Sequence, residues 1–168
     1  LQQRFEQSGG SVPFSQFMAW ALHDPEYGAY GSGHLKIGKE GDFVTSTTLG
    51  TDFSALMGCQ LVQWLRTLAL NHPTKTLSIV EVGPGEAELS CDLIDHLVEQ
   101  LPDLIHRLEL VLVETNPGME QRQRKRLEQH QSSHEFQRRL PHRWTSLSDL
   151  KTCPVIGVLI AHELLDAF

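Results

Sequence analysis

Basic residues are scarce: fourteen lysines and arginines stand against twenty-one aspartates and glutamates, a formal net charge of −7. Non-specific nucleic-acid binding depends on neutralising phosphates, so this balance disfavours it. Cysteine is also sparse. Cys59, Cys91 and Cys153 are widely spaced and odd in number, which gives neither a disulfide framework nor a paired zinc signature. Buried or partly buried thiols in a reducing compartment are expected. No apolar run approaches the ~20 residues that span a bilayer; the longest runs from Pro154 to Ala161. The opening Leu1-Gln2-Gln3-Arg4-Phe5 has no apolar signal-peptide core. What is present is a chain of 168 residues, 40% apolar and 21% charged, suited to one domain with a sizeable core. It begins without Met and stops soon after an apolar run, so it reads as part of a larger protein.

The pattern along the chain alternates helices with β-rich runs. Phe14, Phe17, Met18, Ala21 and Leu22 recur at helical spacing after Pro13, which suits a first turn. Asp24-Pro25 and Tyr27-Gly28 break that helix. Residues 28–50 are rich in Gly, Ser and Thr and read as a long loop, a feature that is usually functional or disordered. Phe53, Leu56, Met57, Leu61, Trp64, Leu65 and Leu68 predict a second helix with a broad apolar face, closed by Asn71-His72-Pro73. A short β-rich run, Leu77 to Val82, meets the Gly83-Pro84-Gly85 break. Leu89, Leu93, Leu97 and Leu101 predict a third helix that Pro102 ends. A second run, Leu108 to Val113, finishes at Glu114, and Asn116-Pro117-Gly118 turns the chain into a polar helix. Arg122, Arg124, Lys125 and Arg126 on that helix read as a solvated face. Arg143-Trp144-Thr145 suggests a short strand, with Trp144 read as core, and Val155 to Ala161 suggests a third buried strand. His130 and His134 are read as solvated. Continuous rather than alternating apolar strands separated by helices indicate a parallel sheet covered on both faces. The expected fold is a doubly wound α/β domain with a helical N-terminal extension.

In such a sheet, ligands sit beyond the carboxyl ends of the strands, near the switch point. Gly83 and Gly85 remove side chains where backbone passes close to a ligand, and Pro84 stiffens the turn. Glu81 and Glu114 close two strands expected to be neighbours. A carboxylate at the second strand end can accept hydrogen bonds from ribose hydroxyls. A dinucleotide fingerprint needs a third glycine where Glu88 stands, and phosphate at that helix start would face Glu86 and Glu88. Those two acids also have a plainer reading as favourable charge in a first helical turn. A cationic sulfonium with an amino group suits the acidic surroundings better, with Glu81 favouring the ammonium directly or through water. This points to S-adenosylmethionine over a dinucleotide.

The residues also carry a resemblance. Phe14-Ser15-Gln16-Phe17-Met18 and Asp24-Pro25-Glu26-Tyr27-Gly28-Ala29-Tyr30 resemble the N-terminal helix and turn of the MidA family of class I methyltransferases. Gly38-Lys39-Glu40-Gly41-Asp42-Phe43-Val44-Thr45-Ser46 resembles its Gly-Asp-Phe loop, and Glu81-Val82-Gly83-Pro84-Gly85 its cofactor motif. Val113-Glu114 resembles its ribose-binding strand end, and His162-Glu163-Leu164-Leu165-Asp166-Ala167 its Asn-Glu-x-x-Asp-Ala segment. The resemblance implies a Rossmann-like methyltransferase sheet, here its front portion of parallel strands. Residues 1–72 then form a helical and Gly-Asp-Phe loop region, and residues 73–168 the first part of the cofactor-binding domain. It implies that Gly41, Asp42, Phe43, Thr45, Glu81, Gly83, Pro84, Gly85 and Glu114 bind S-adenosylmethionine. The glycines Gly38 and Gly41 suit a loop that closes over the cofactor. It also implies a protein substrate, with arginine methylation and respiratory complex I assembly described for mitochondrial members. The setting is then a bacterial cytoplasm or an organelle matrix. Glu163 and Asp166 are the candidate catalytic pair, orienting a guanidinium by charge-assisted hydrogen bonds; their alternative is an N-cap and helix-start pair.

Three positions depart from the family pattern: Ala87 replaces a third glycine, Thr47 a proline and His162 an asparagine. Ala87 crowds the turn if that position needs a positive φ. Two other classes stay open. One is a catalytically silent, cofactor-binding assembly factor. The other is a dinucleotide-dependent oxidoreductase, disfavoured because Glu114 lies 33 residues after Glu81 (114 − 81), where a dinucleotide fold places its acid ~20 on.

Overall fold

The computed structural model describes residues 2–32, 46, 50–133 and 139–164. Its helices and strands follow in the order α1 (Gln2–Gln7), α2 (Phe14–His23), α3 (Asp52–Asn71), β1 (Leu77–Val82), α4 (Glu88–Gln100), β2 (Leu108–Val113), α5 (Pro117–Ser133), β3 (His142–Thr145), α6 (Leu147–Thr152) and β4 (Gly157–Ile160). The strands form one parallel sheet in the order β3-β2-β1-β4. The chain therefore steps outward from β1 to β3 and then returns to the other side of β1. That reversal puts the switch point between β1 and β4, where ligands gather in sheets of this kind.

Pleating divides the strand residues between two faces. Leu77 and Ile79 of β1, with Leu108, Leu110 and Leu112 of β2, join Leu61 and Leu65 of α3 and Leu93 and Leu97 of α4 in the main core. Val80, Val82, Val111 and Val113 form a smaller core on the opposite face, covered by Leu150, Val155 and Leu164. The two faces are thus covered unevenly: α3, α4 and α5 contribute to the first, and α6 supplies the only helical cover of the second among the described residues.

Local chemistry accounts for the boundaries. Asn116 caps α5, its Oδ1 accepting the backbone N–H groups of Gly118 (2.9 Å) and Met119 (3.2 Å), with Pro117 at the first helical position. Ser146 and Asp149 form a capping box that starts α6, a helix not anticipated above. Asp24 ends α2 by accepting from the N–H groups of Glu26 (3.0 Å) and Tyr27 (2.9 Å), and Arg4 of α1 pairs with it at 2.5 Å. These contacts hold the Asp24 carboxyl below its ordinary range, the Tyr27 and Glu26 amides being the main cause.

Several expectations are corrected. On α3 the buried line is Ser54, Gly58, Leu61, Leu65 and Ala69, while Leu56 and Trp64 face solvent. The apolar side of α2 buries no residue completely, and Phe14 is exposed. Among the described residues β4 lies at the edge of the sheet, its apolar run is only partly covered, and Leu159 is 58% exposed. Cys59 and Cys153 are exposed rather than partly buried; only Cys91 lies in the core. Its burial pushes the thiol up to about 12. The basic run on α5 is not a uniformly solvated face, because Arg122 and Arg126 reach across to the start of α4. His130 pairs with Asp95 at 2.8 Å instead of standing in solvent; His134 lies outside the described residues.

Candidate functional site

The turn from β1 into α4 is built from three left-handed residues. Gly83 has φ +67° and Gly85 φ +53°, values that a side chain disfavours. Ala87 has φ +60° and ψ +30° and is fully buried, so the missing third glycine does fall where a positive φ is required. A left-handed alanine costs about 1–2 kcal/mol. Its N–H donates to the Pro84 carbonyl at 2.7 Å, and its own carbonyl accepts from Cys91 N–H, opening α4. Gly83 N–H donates to the Val113 carbonyl at 3.0 Å, tying the turn to the end of β2.

Glu81 does not project into solvent at the strand end. It shares the face of Leu77 and Ile79 and is 4% exposed beneath α4, where Ser90 Oγ donates to its Oε2. Burial pushes its carboxyl up to about 7, against the opposing effect of the Ser90 hydrogen bond. Glu114 follows β2. Its Oε1 accepts from Asn116 N–H at 2.8 Å and its Oε2 from Gln123 Nε2 at 3.0 Å. Among the described residues, neither Glu81 nor Glu114 has a cationic partner.

The other two acids of the turn do. Arg122 Nε lies 3.1 Å from Glu86 Oε1, and Arg126 Nη1 lies 3.0 Å from Glu88 Oε1. The negative field read from Glu86 and Glu88 in the sequence is therefore largely offset from α5. Arg122 also donates to the Tyr30 carbonyl at 3.0 Å, and Asn116 Nδ2 to the His23 carbonyl at 3.3 Å. These contacts seat the N-terminal turn beside the end of β2.

The third component arrives from β4. Leu164 packs so close to Gly83 that a Cβ there would lie 2.7 Å from Leu164 Cδ1. Just before it, Glu163 has φ +50°, unusual for a residue with a side chain. Its Oε1 accepts from Ser46 Oγ at 3.1 Å and lies 3.4 Å from His162 Nε2. The His162 ring packs on Phe53 of α3, centroids 4.7 Å apart. The expected cofactor residues Gly41, Asp42, Phe43 and Thr45, and the expected catalytic Asp166, lie outside the described residues.

The carboxyl ends of β1, β2 and β4 thus bring together a glycine turn, a carboxylate beyond the second strand, and Glu163 beyond the fourth. The sequence reading missed Ser90 and Gln123. Gln123 is fully buried and lies midway between buried Met119 and Leu127 on one line of α5. A polar residue in such an apolar line is the signal that could have found it.

The model of a family described as "Putative S-adenosyl-L-methionine-dependent methyltransferase" matches residues 56–168. The chain is 30% identical over 119 residues to the Drosophila melanogaster protein named "Protein arginine methyltransferase NDUFAF7 homolog, mitochondrial", covering 71% of this chain and 26% of that protein. It is 28% identical over 173 residues to the Danio rerio protein named "Protein arginine methyltransferase NDUFAF7, mitochondrial", covering 94% of this chain and 39% of that one. A Burkholderia thailandensis protein crystallised with S-adenosyl-homocysteine shares the fold, with a TM-score of 0.67 at 24% identity over 97% of this chain and 39% of that one. The chain spans 26% and 39% of the length of these two curated relatives.

Proposed function

This chain belongs to the MidA family of S-adenosyl-L-methionine-dependent methyltransferases, and from that premise we propose that it holds the methyl donor for transfer to a protein. The observation that carries the reading is the adjacency of the Gly83–Gly85 turn and the Glu114 carboxylate at neighbouring parallel strand ends. The residues fit the cofactor. Each Glu114 oxygen accepts one protein donor and retains acceptor capacity for a ribose hydroxyl. Glu81 is engaged by Ser90 through Oε2, which leaves Oε1 for the donor's ammonium. Gly83, Pro84 and Gly85 line the backbone approach, and we assign further cofactor contacts to Gly41, Asp42, Phe43 and Thr45.

When bound, S-adenosylmethionine supplies an electrophilic methyl group on a positively charged sulfur. The chain's own work is alignment, which can account for much of the acceleration in a displacement of this kind. Glu163 and Asp166 hold the acceptor, an arginine guanidinium, by charge-assisted hydrogen bonds. Glu163 receives the proton that the attacking nitrogen sheds. The arginine assignment follows the names of the NDUFAF7 relatives. A respiratory-complex subunit is the partner we assign, in the matrix of an organelle or the cytoplasm of a bacterium. No helix among the described residues is long and apolar enough to cross a membrane.

A second reading, a silent binder that keeps the fold and cofactor, draws on Ala87 in its left-handed, fully buried position. Titration calorimetry with S-adenosylmethionine and with NADH tests the shared premise. Tight NADH binding without response to the methyl donor ends both readings. Incubation of the full chain with labelled methyl donor and a lysate of its source cells separates them: label on protein arginine supports transfer, and binding without label supports the silent factor.

A further inference from the structure

The Gln123 side chain joins three elements through one amide. Nε2 donates to the Gly85 carbonyl at 2.9 Å and to Glu114 Oε2 at 3.0 Å, while Oε1 accepts from Trp144 Nε1 at 2.9 Å. The orientation of the amide is chemically fixed. An indole N–H can only donate, so it selects the amide oxygen and turns both amide hydrogens toward the two acceptors. The indole is itself held: the Arg124 guanidinium lies over its ring at 3.9 Å and is anchored by Glu120 at 2.6 Å. Gln123 is fully buried between Met119 and Leu127. An apolar side chain of similar length would fill that position with less desolvation cost, so packing alone does not account for an amide here.

We infer that Gln123, oriented by Trp144, is a positioning residue that fixes the Glu114 carboxylate for recognition of ribose hydroxyls. The inference rests on the reading of Glu114 as the ribose acceptor. Without the amide, Glu114 keeps the Asn116 contact on Oε1 but its Oε2 loses its only protein donor among the described residues. The carboxylate is then free to rotate, and the hydroxyl-directed part of cofactor affinity falls. The Gly85 peptide is released by the same change, which links the glycine turn to the ribose acceptor through one side chain.

The test is calorimetric titration of the full chain with S-adenosylhomocysteine and with its 2′-deoxy analogue. Gln123→Leu is expected to weaken the ribose ligand about tenfold, the lower end of what loss of an orienting outer partner costs at metal sites. The deoxy analogue is expected to change by less than about twofold on the same scale. Trp144→Phe keeps an aromatic side chain but replaces the indole with a smaller ring that has no N–H donor, so the amide can turn its oxygen toward Glu114; the preference for ribose is expected to fall here too. This second variant carries the test if Gln123→Leu does not fold. Equal weakening of both ligands, or an unchanged preference in Trp144→Phe, overturns the inference and leaves the cofactor reading intact. A wild-type chain that binds neither ligand, or does not prefer the ribose form, overturns the Glu114 reading and the inference together.

Discussion

Ser90 on α4 donates its hydroxyl to Glu81 Oε2 on β1, and neither residue reaches solvent to any extent, at 0% and 4% exposure. A carboxyl in this setting is easier to protonate than in water, and burial raises it from 4.5 to about 7. Between those values the folded chain binds more protons than the unfolded one. Stability from this group is therefore complete below pH 4.5 and lost as pH rises through about 7. The loss is on the order of 3 kcal/mol from one end of the window to the other. Thermal melts from pH 5 to 8 should fall in the wild type more steeply than in Glu81→Gln. Parallel curves would contradict the assignment.

The ionised form of the same group is the one that attracts an ammonium. If Glu81 faces the donor's amino group, affinity for S-adenosylmethionine should rise as pH passes through about 7. Glu81→Gln should flatten that rise. Calorimetry at pH 6 and 8 reads both.

Ala87 offers a stability test. Ala87→Gly relieves a left-handed cost of about 1–2 kcal/mol and gives up a buried methyl worth roughly 0.8 kcal/mol. The change should be neutral to slightly stabilising, by about 1 kcal/mol at most. Ala87→Val adds a β-branched side chain at the same φ in a fully buried position and should cost about 3 kcal/mol or more. Urea denaturation of the two variants gives the comparison.

Gly118 tests how the N-terminal turn is seated. A Cβ at this position would lie 2.2 Å from the Gly31 carbonyl oxygen, a backbone atom that cannot rotate away. Gly118→Ala should therefore displace the turn, at a net cost of about 1–2 kcal/mol after the helical preference of alanine is counted. Hydrogen exchange should accelerate at the amides of Ala29, Tyr30 and Gly31, which bond to Ala21 and Leu22, and remain slow in β1. Equal acceleration in both would show global destabilisation instead.

Glu163→Gln addresses the acceptor side. It keeps the size of the side chain and removes its charge, so cofactor affinity should persist while turnover falls by about 100-fold or more. Single-turnover transfer with labelled donor measures the loss. Unchanged turnover would remove Glu163 from the proposed mechanism.

Much of the fold is legible in the sequence where the signal is local. Leu77–Val82 and Leu108–Val113 are short β-rich runs closed by turn residues, and both strands keep those bounds. Asn116-Pro117 announces the start of α5 because cap and first-turn preferences act within a few residues. Helical spacing marked the apolar side of α2 and α3, but spacing cannot say what covers it, and Phe14, Leu56 and Trp64 are left exposed. The arginines of α5 misled for the same reason: their partners Glu86 and Glu88 lie 36 and 38 residues earlier. The position of Glu81 follows from pleating alone, since it shares a face with Leu77 and Ile79, yet the Ser90 partner does not. That the glycine turn and Glu114 end neighbouring strands was readable from the two runs, whereas the Gln123 bridge between them depends on Trp144 of a third strand.

The strand order also sets a timetable for assembly on the ribosome. β1 meets β2 across 31 residues, from Leu77 to Leu108, whereas it meets β4 across 79, from Ser78 to Gly157. The longer closure costs about 0.8 kcal/mol more in chain entropy, and β4 is synthesised after the other three strands of this sheet. The glycine turn, Glu114 and Gln123 can therefore come together on a nascent chain before Glu163 has been made.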